Sequence, residues 1–100
     1  MPAIARNLTN DEIMQEFGSR IRAKRLERNM TLEDAARETG LNRKTWADLE
    51  SGRDIRLSTV VKALRALNML GVLEAALPDT LPGAEAFSTK GTLRQRARSR

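Results

Sequence analysis

Asn42, Arg43, Lys44 and Thr45 follow one another along the chain and together offer a dense set of hydrogen-bond donors. Arg43 and Lys44 are fixed cations that donate and never accept, so the chemistry open to them is recognition of acceptor atoms or anionic oxygens. Periodicity predicts a short helix over 43–51, with Asn42 as its N-cap. A helix with a purely structural role gains from acids in its first turn, because the backbone dipole is positive there. Two bases in that place point instead to an acceptor outside the chain.

The elements that must position this edge lie just upstream. Thr31 is a good N-cap for a helix over 32–39, and Glu33 and Asp34 complement the dipole of its first turn. Ala35 and Ala36 keep that helix slim enough for a second to cross it closely. Gly40 ends it where a left-handed backbone is favoured, and Leu41 is the expected buried pin of the turn. Thr31 to Gly52 therefore reads as two short amphipathic helices joined at Gly40-Leu41-Asn42, a helix-turn-helix with a basic leading edge. That geometry offers a helix to the major groove of DNA.

Charge supports a polyanionic partner, once it is divided along the chain. The 100 residues carry a net charge of +5. Residues 20–65 hold twelve bases against seven acids, and the last twelve residues hold five bases and no acid. Residues 1–19 (one base, three acids) and 66–88 (three acids, no base) are acidic, so the basic surface is local. An apolar content of 40% with 31% charged residues suits one small soluble domain with appended chain. No apolar run approaches the ~18 residues that cross a bilayer, and no basic-then-apolar leader is read at the start; a cytoplasmic location without membrane partners is expected. Cysteine and histidine are both absent, which removes disulfides, thiol chemistry and the usual zinc sets, and no cofactor or metal is expected. Without paired acids or a phosphate-cradling glycine loop in a recognisable frame, the chain is not expected to be an enzyme.

Around the motif, residues 1–8 read as a flexible arm. Thr9-Asn10-Asp11-Glu12 starts a helix whose Ile13, Phe17 and Ile21 share a face, and Asn29 ends it. From Leu57 a further helix carries Leu57, Val60, Val61, Leu64 and Leu67 as a wide apolar stripe, stopped by Asn68. A fifth short helix is read over 70–77. Its Leu70, Val72, Leu73 and Leu77 exceed what one small core needs, so they are expected at a dimer or partner contact as well as over the core. The expected division is an arm 1–8, a domain 9–77, and a linker with basic tail 78–100. The tail bases Lys90, Arg94, Arg96, Arg98 and Arg100 are read either as a DNA arm or as solubilising charge.

Residues 17–73 resemble the five-helix, all-α DNA-binding domain of the phage repressor and Cro family, the XRE-like helix-turn-helix regulators. The resemblance is carried by Phe17-Gly18-Ser19-Arg20-Ile21-Arg22 and Arg25, by Met30-Thr31 and Glu33 to Ala36, and by Gly40-Leu41. Arg43-Lys44-Thr45, Leu49-Glu50-Ser51-Gly52 and the helix over 57–67 complete it. It implies a structural ion pair between Arg25 and Glu50, base contacts from Arg43, Lys44 and Asp48, and phosphate contacts from Thr31, Ser51 and Arg53. Two positions depart from the family pattern. Leu32 stands where glutamine usually grips a phosphate, which removes one anchor. Trp46 stands where isoleucine or valine is usual, a larger side chain able to change the tilt of the recognition helix. A narrower likeness, to HipB-type antitoxins, rests on the 57–67 helix, the apolar segment after it and a charged tail.

The residues themselves weigh these roles. Asn42 and Thr45 join Arg43 and Lys44 at the edge that faces bases, and arginine in the groove most often reads guanine through O6 and N7. Asp48 either accepts from a cytosine amino group or bridges Lys44 at i−4, with the bridge preferred. Trp46 belongs to the core, ahead of any stacking on bases. Arg53 and Arg56, after the recognition helix, are placed to touch phosphate, which sets affinity without specifying sequence. The function expected is a sequence-specific DNA-binding transcriptional regulator, a repressor that binds double-stranded DNA at a two-fold operator as a homodimer. The alternative is an antitoxin that also holds a toxin protein.

Overall fold

A computed structural model of the chain describes residues 3–79. Among them are five helices and no strand: α1 (Asn10–Glu27), α2 (Leu32–Thr39), α3 (Arg43–Glu50), α4 (Leu57–Ala66) and α5 (Gly71–Ala76). The chain divides into two units, Met1–Leu70 with α1 to α4 and Gly71–Arg100 with α5.

Side-chain caps set the helix starts. The Thr9 hydroxyl accepts from the Glu12 amide while the Glu12 carboxylate accepts from the Thr9 amide, a reciprocal box that satisfies two backbone donors at the start of α1. Thr31 and Asp34 repeat the arrangement on α2, at 3.0 and 2.9 Å. The Thr31 amide, with help from its hydroxyl and from Arg37, holds the Asp34 carboxyl below the usual carboxylate range. A depressed carboxylate pKa contributes stability above the unfolded value of about 3.9 and loses it as pH falls through the folded value. Wild-type protein is therefore expected to be more stable than Asp34→Asn near pH 6. That gap should narrow as an acid titration, followed by circular dichroism, passes below about pH 3.9.

Left-handed residues set the helix ends. Gly40 closes α2 at φ 77°, and Asn29 (58°) and Asn68 (60°) stand just past α1 and α4. All three positions were legible as stops, because only glycine and asparagine enter that conformation cheaply.

The core of the first unit is Ile21, Ala35, Trp46, Leu49, Ala63, Leu64 and Leu67, each at most 4% exposed. Helix α2 sits at its centre, packed against both α3 and α4, while α1 packs on α3. Ala35 is wholly buried, which is where a larger side chain would push neighbouring helices apart. Ile13 and Phe17 lie on the inward face of α1 but only half-buried, about two turns and one turn before the buried Ile21 respectively.

Two apolar expectations are corrected. Leu57 does not join the stripe of α4: it is 72% exposed, while Thr59 and Ala63 are buried. Its angular position matches that of Leu64, seven residues on, but it lies roughly 10 Å away along the helix axis at the rise of an α-helix. The face is right and the neighbour is missing. Leu41 is half-buried, not a buried pin; the turn is held instead by the side chain of Thr39.

In the second unit α5 is a short helix continued by the bond from the Leu77 amide to Leu73. Val72 (44%) and Leu77 (81%) are exposed and Leu73 is half-buried, as is Leu70 at the end of the first unit. The linker and tail expected over 78–100, with its five bases, lie outside the described residues beyond Asp79.

Candidate nucleic-acid interface

Helix α3 is anchored from its inward side by three separate devices. Trp46 is wholly buried, and its indole Nε1 donates to Thr39 Oγ1 at 3.0 Å. The same hydroxyl donates to the Ala35 carbonyl at 2.7 Å and accepts the Leu41 amide at 3.2 Å. One oxygen thus ties the last turn of α2, the connecting turn and the middle of α3. It also satisfies the one polar group that tryptophan brings to a position usually filled by a smaller aliphatic residue.

The second device is close approach. A Cβ at Gly18 would lie 2.5 Å from the Leu49 carbonyl oxygen and 2.6 Å from that of Glu50, so the end of α3 rests directly on the backbone of α1. A Cβ at Gly52 would meet the Gln15 backbone at 2.7 Å, and Gly52 has φ 84°, so it is constrained by both space and conformation.

The third is the ion pair that the resemblance implied. Arg25 Nε and Nη2 donate to Glu50 Oε2 and Oε1 at 2.7 and 3.0 Å, with both side chains 6% exposed. Arg25 Nη1 also donates to the Met30 carbonyl at 2.7 Å, just ahead of the Thr31 cap. A single guanidinium therefore joins α1, the entry to α2 and the end of α3. The Glu50 hydrogen bond, opposed by burial, raises the Arg25 pKa above its usual value, so the cation is maintained.

Held in this way, α3 turns its other side to solvent. Asn42 Oδ1 accepts from both the amide and the hydroxyl of Thr45 at 2.8 and 2.9 Å, which fixes the orientation of the first turn. Asn42, Arg43 and Lys44 are exposed and Thr45 is half-buried. Lys44 Nζ reaches Asp48 Oδ2 at 2.9 Å, and Arg53 Nε approaches the other oxygen, Oδ1, at 3.4 Å. The Arg53 amide bonds the Asp48 carbonyl as well, folding the loop back along the helix. Arg43 pairs across the motif with Glu33 of α2. The edge read from the sequence is thus one continuous patch, with each of its cations beside an acid of the same chain.

The phosphate candidates are more dispersed. Thr31, Ser51, Arg53 and Arg56 are all exposed. The Thr31 hydroxyl accepts the Asp34 amide and helps hold the Asp34 carboxylate, so it is engaged in the cap of α2 and must rotate before it can donate to a phosphate. The Ser51 hydroxyl donates to the Ala47 carbonyl at 2.9 Å, so it must rotate before it can donate to a phosphate. Arg56 occupies the N-cap position of α4 without a side-chain cap bond.

A helix-turn-helix domain family matches residues 16–77, a little over three-fifths of the chain and all of α2 through α5. The chain belongs to that family of XRE-like DNA-binding domains. No curated protein sequence matches the chain. The geometry of this helix-turn-helix domain agrees with DNA binding as its general role. No helix among the described residues is long and apolar enough to cross a membrane.

Several residues of the domain escaped the sequence. Thr39 carried no signal, since a threonine at a helix end is unremarkable until a tryptophan is packed against it. Gly18 was visible only as part of a family pattern, without its reason. Glu33 registered as a first-turn acid, and its partner on the next helix was not legible. Glu16, buried on α1, pairs with Arg20 at 2.9 Å, an i,i+4 spacing readable in principle but masked by the surrounding polar residues.

Proposed function

We propose that this domain is a sequence-specific transcriptional regulator that enters the DNA major groove with α3. The observation that supports it best is the division of α3 into two sides. Trp46, Leu49 and Glu50 fix the helix to the rest of the domain, while Asn42, Arg43, Lys44 and Thr45 form its outward leading edge. Arg43 is assigned to a guanine and Lys44 to a neighbouring acceptor. Asp48, bracketed by Lys44 and Arg53, is assigned to holding those cations rather than to reading cytosine. Thr31, Ser51, Arg53 and Arg56 are assigned to phosphates, setting register and affinity.

In this reading the chain acts as a homodimer on a two-fold operator and represses by occupying it, in the manner of the phage repressor and Cro group. One small domain of this kind buries too little surface for tight specific binding, and two-fold operators mirror two-fold proteins. The exposed Val72 of α5 and Leu77 just beyond its end are the apolar surface assigned to self-association. The same exposure supports a second reading, an antitoxin of the HipB type that holds a toxin protein there. Co-purification of a second polypeptide from the native host would favour it.

Selection of bound DNA from a random pool tests the first reading. Wild-type protein is expected to enrich a two-fold site with half-sites about one helical turn apart. Arg43→Ala should lose about 1–3 kcal/mol on that site and relax preference at one base pair per half-site. Absence of any enrichment at low salt would overturn sequence-specific binding.

A further inference from the structure

One acid reaches the base-reading edge from the other helix of the motif. Glu33 on α2 places Oε2 3.0 Å from Arg43 Nε on α3, with side chains 60% and 64% exposed. We propose that Glu33 is a positioning residue for Arg43 and, through it, a determinant of base specificity; this rests on the DNA-reading role of α3 proposed above.

Three features carry the inference. The first is which nitrogen is engaged. The closest approach is at Nε, on the stem side of the guanidinium and not at the terminal nitrogens Nη1 and Nη2. Those two terminal nitrogens form the fork that matches O6 and N7 of guanine. Glu33 thus holds the arginine from behind and leaves its reading end presented.

The second is that stability does not account for the pair. Exposed ion pairs contribute little to folding, because water screens them and two long side chains must be ordered. Ordering is of use when the ordered group reads a base, since arginine otherwise loses rotamer freedom on binding. Lys44 is tied within its own helix by Asp48, at i,i+4 spacing. Arg43 is tied to a different helix, so its direction is fixed relative to the motif as a whole.

The third is charge. Glu33 follows the exposed Thr31 cap by two residues, on the side assigned to phosphate. A carboxylate there repels the DNA backbone at every sequence alike, and only a site that offers Arg43 its guanine compensates. Glu33 therefore lowers non-specific affinity while sharpening the specific contact, and discrimination gains from both.

The test compares the wild-type chain with Glu33→Gln and Glu33→Asp, at fixed salt. Three duplexes are used: the selected site, that site with the Arg43-dependent base pair changed, and random DNA. Glu33→Gln is expected to bind random DNA more tightly and to lose about tenfold in the ratio of selected to changed site, as a loosened bidentate contact allows. Glu33→Asp keeps the charge and shortens the reach by one methylene. It should lower the ratio while leaving random-DNA affinity at the wild-type value. In an Arg43→Ala background Glu33→Gln should leave the ratio unmoved, since the effect acts through Arg43. Melting temperatures near wild type would show that each variant is folded. Both variants keeping the wild-type ratio would reduce Glu33 to a surface charge and overturn the positioning role alone. A wild-type chain that prefers no sequence would overturn the DNA reading, and this inference with it.

Discussion

Glu50→Ala is expected to destabilise the domain by about 3–5 kcal/mol, the range for removing one partner of a buried ion pair. The loss is large because Arg25 cannot follow its charge into water. It is a buried residue of α1 facing the end of α3, with a third donor committed to the Met30 carbonyl. Small domains have total stabilities of roughly 5–15 kcal/mol, so a substantial fraction of the variant should be unfolded at room temperature. Urea denaturation followed by circular dichroism would show the midpoint fall. DNA binding should fall with it, but indirectly. A stabilising osmolyte that favours burial should restore binding to Glu50→Ala and leave Arg43→Ala unrescued. The double variant Arg25→Met, Glu50→Leu replaces both charges with apolar groups and should recover much of the lost stability, since the cost lies in the orphaned charge. A Glu50→Ala melting curve matching wild type would refute the assignment of this pair as the lock between the helices.

Trp46→Ala is the second large effect, again about 3–5 kcal/mol, through loss of buried area and an unfilled cavity. The size of the loss separates two roles of the side chain. Trp46→Phe keeps an aromatic ring and removes the indole donor, so it should lose only part of this amount, including the bond to Thr39. Thr39→Val keeps the volume and removes the oxygen. It leaves the Leu41 amide and the Trp46 indole without their shared acceptor, at about 1–3 kcal/mol each where no water replaces it. Because Trp46 is the sole tryptophan, fluorescence reports the result in the Thr39→Val chain directly. An indole that keeps a blue-shifted emission and a wild-type melting temperature without its acceptor would show the hydroxyl to be dispensable.

Local chemistry made most of the helices legible. Thr9, Thr31 and Asn42 announce three helix starts by their side chains, and Asn29, Gly40 and Asn68 announce three stops by their backbone preference. Such signals act within four residues, so no partner is needed to read them. Contacts with a neighbour far along the chain were not legible from residue types, and the Arg25–Glu50 pair was read only through the family resemblance. The apolar pattern of α4 gives its inward direction, but not that Leu57 has nothing to pack against. The interface divides in the same way. Its leading edge, Asn42 to Thr45, is contiguous and was readable from residue types and the dipole. The pairing of Arg43 with Glu33, ten residues away on another helix, depends on how α2 crosses α3. So does the meeting of Thr39 with Trp46. Gly18 is the clearest instance: its reason is a pair of carbonyl oxygens more than thirty residues downstream.

The two-sided character of α3 has a consequence for anyone who would reprogramme this domain. The side chains that hold the helix and those that face outward are different sets. If α3 reads bases as proposed, a new binding preference would be written into positions 43, 44, 45 and 48 without rebuilding the interior. The editable unit is nonetheless larger than the helix. Arg43 leans on a residue of α2, so a transplanted leading edge would arrive without its brace unless position 33 travels with it.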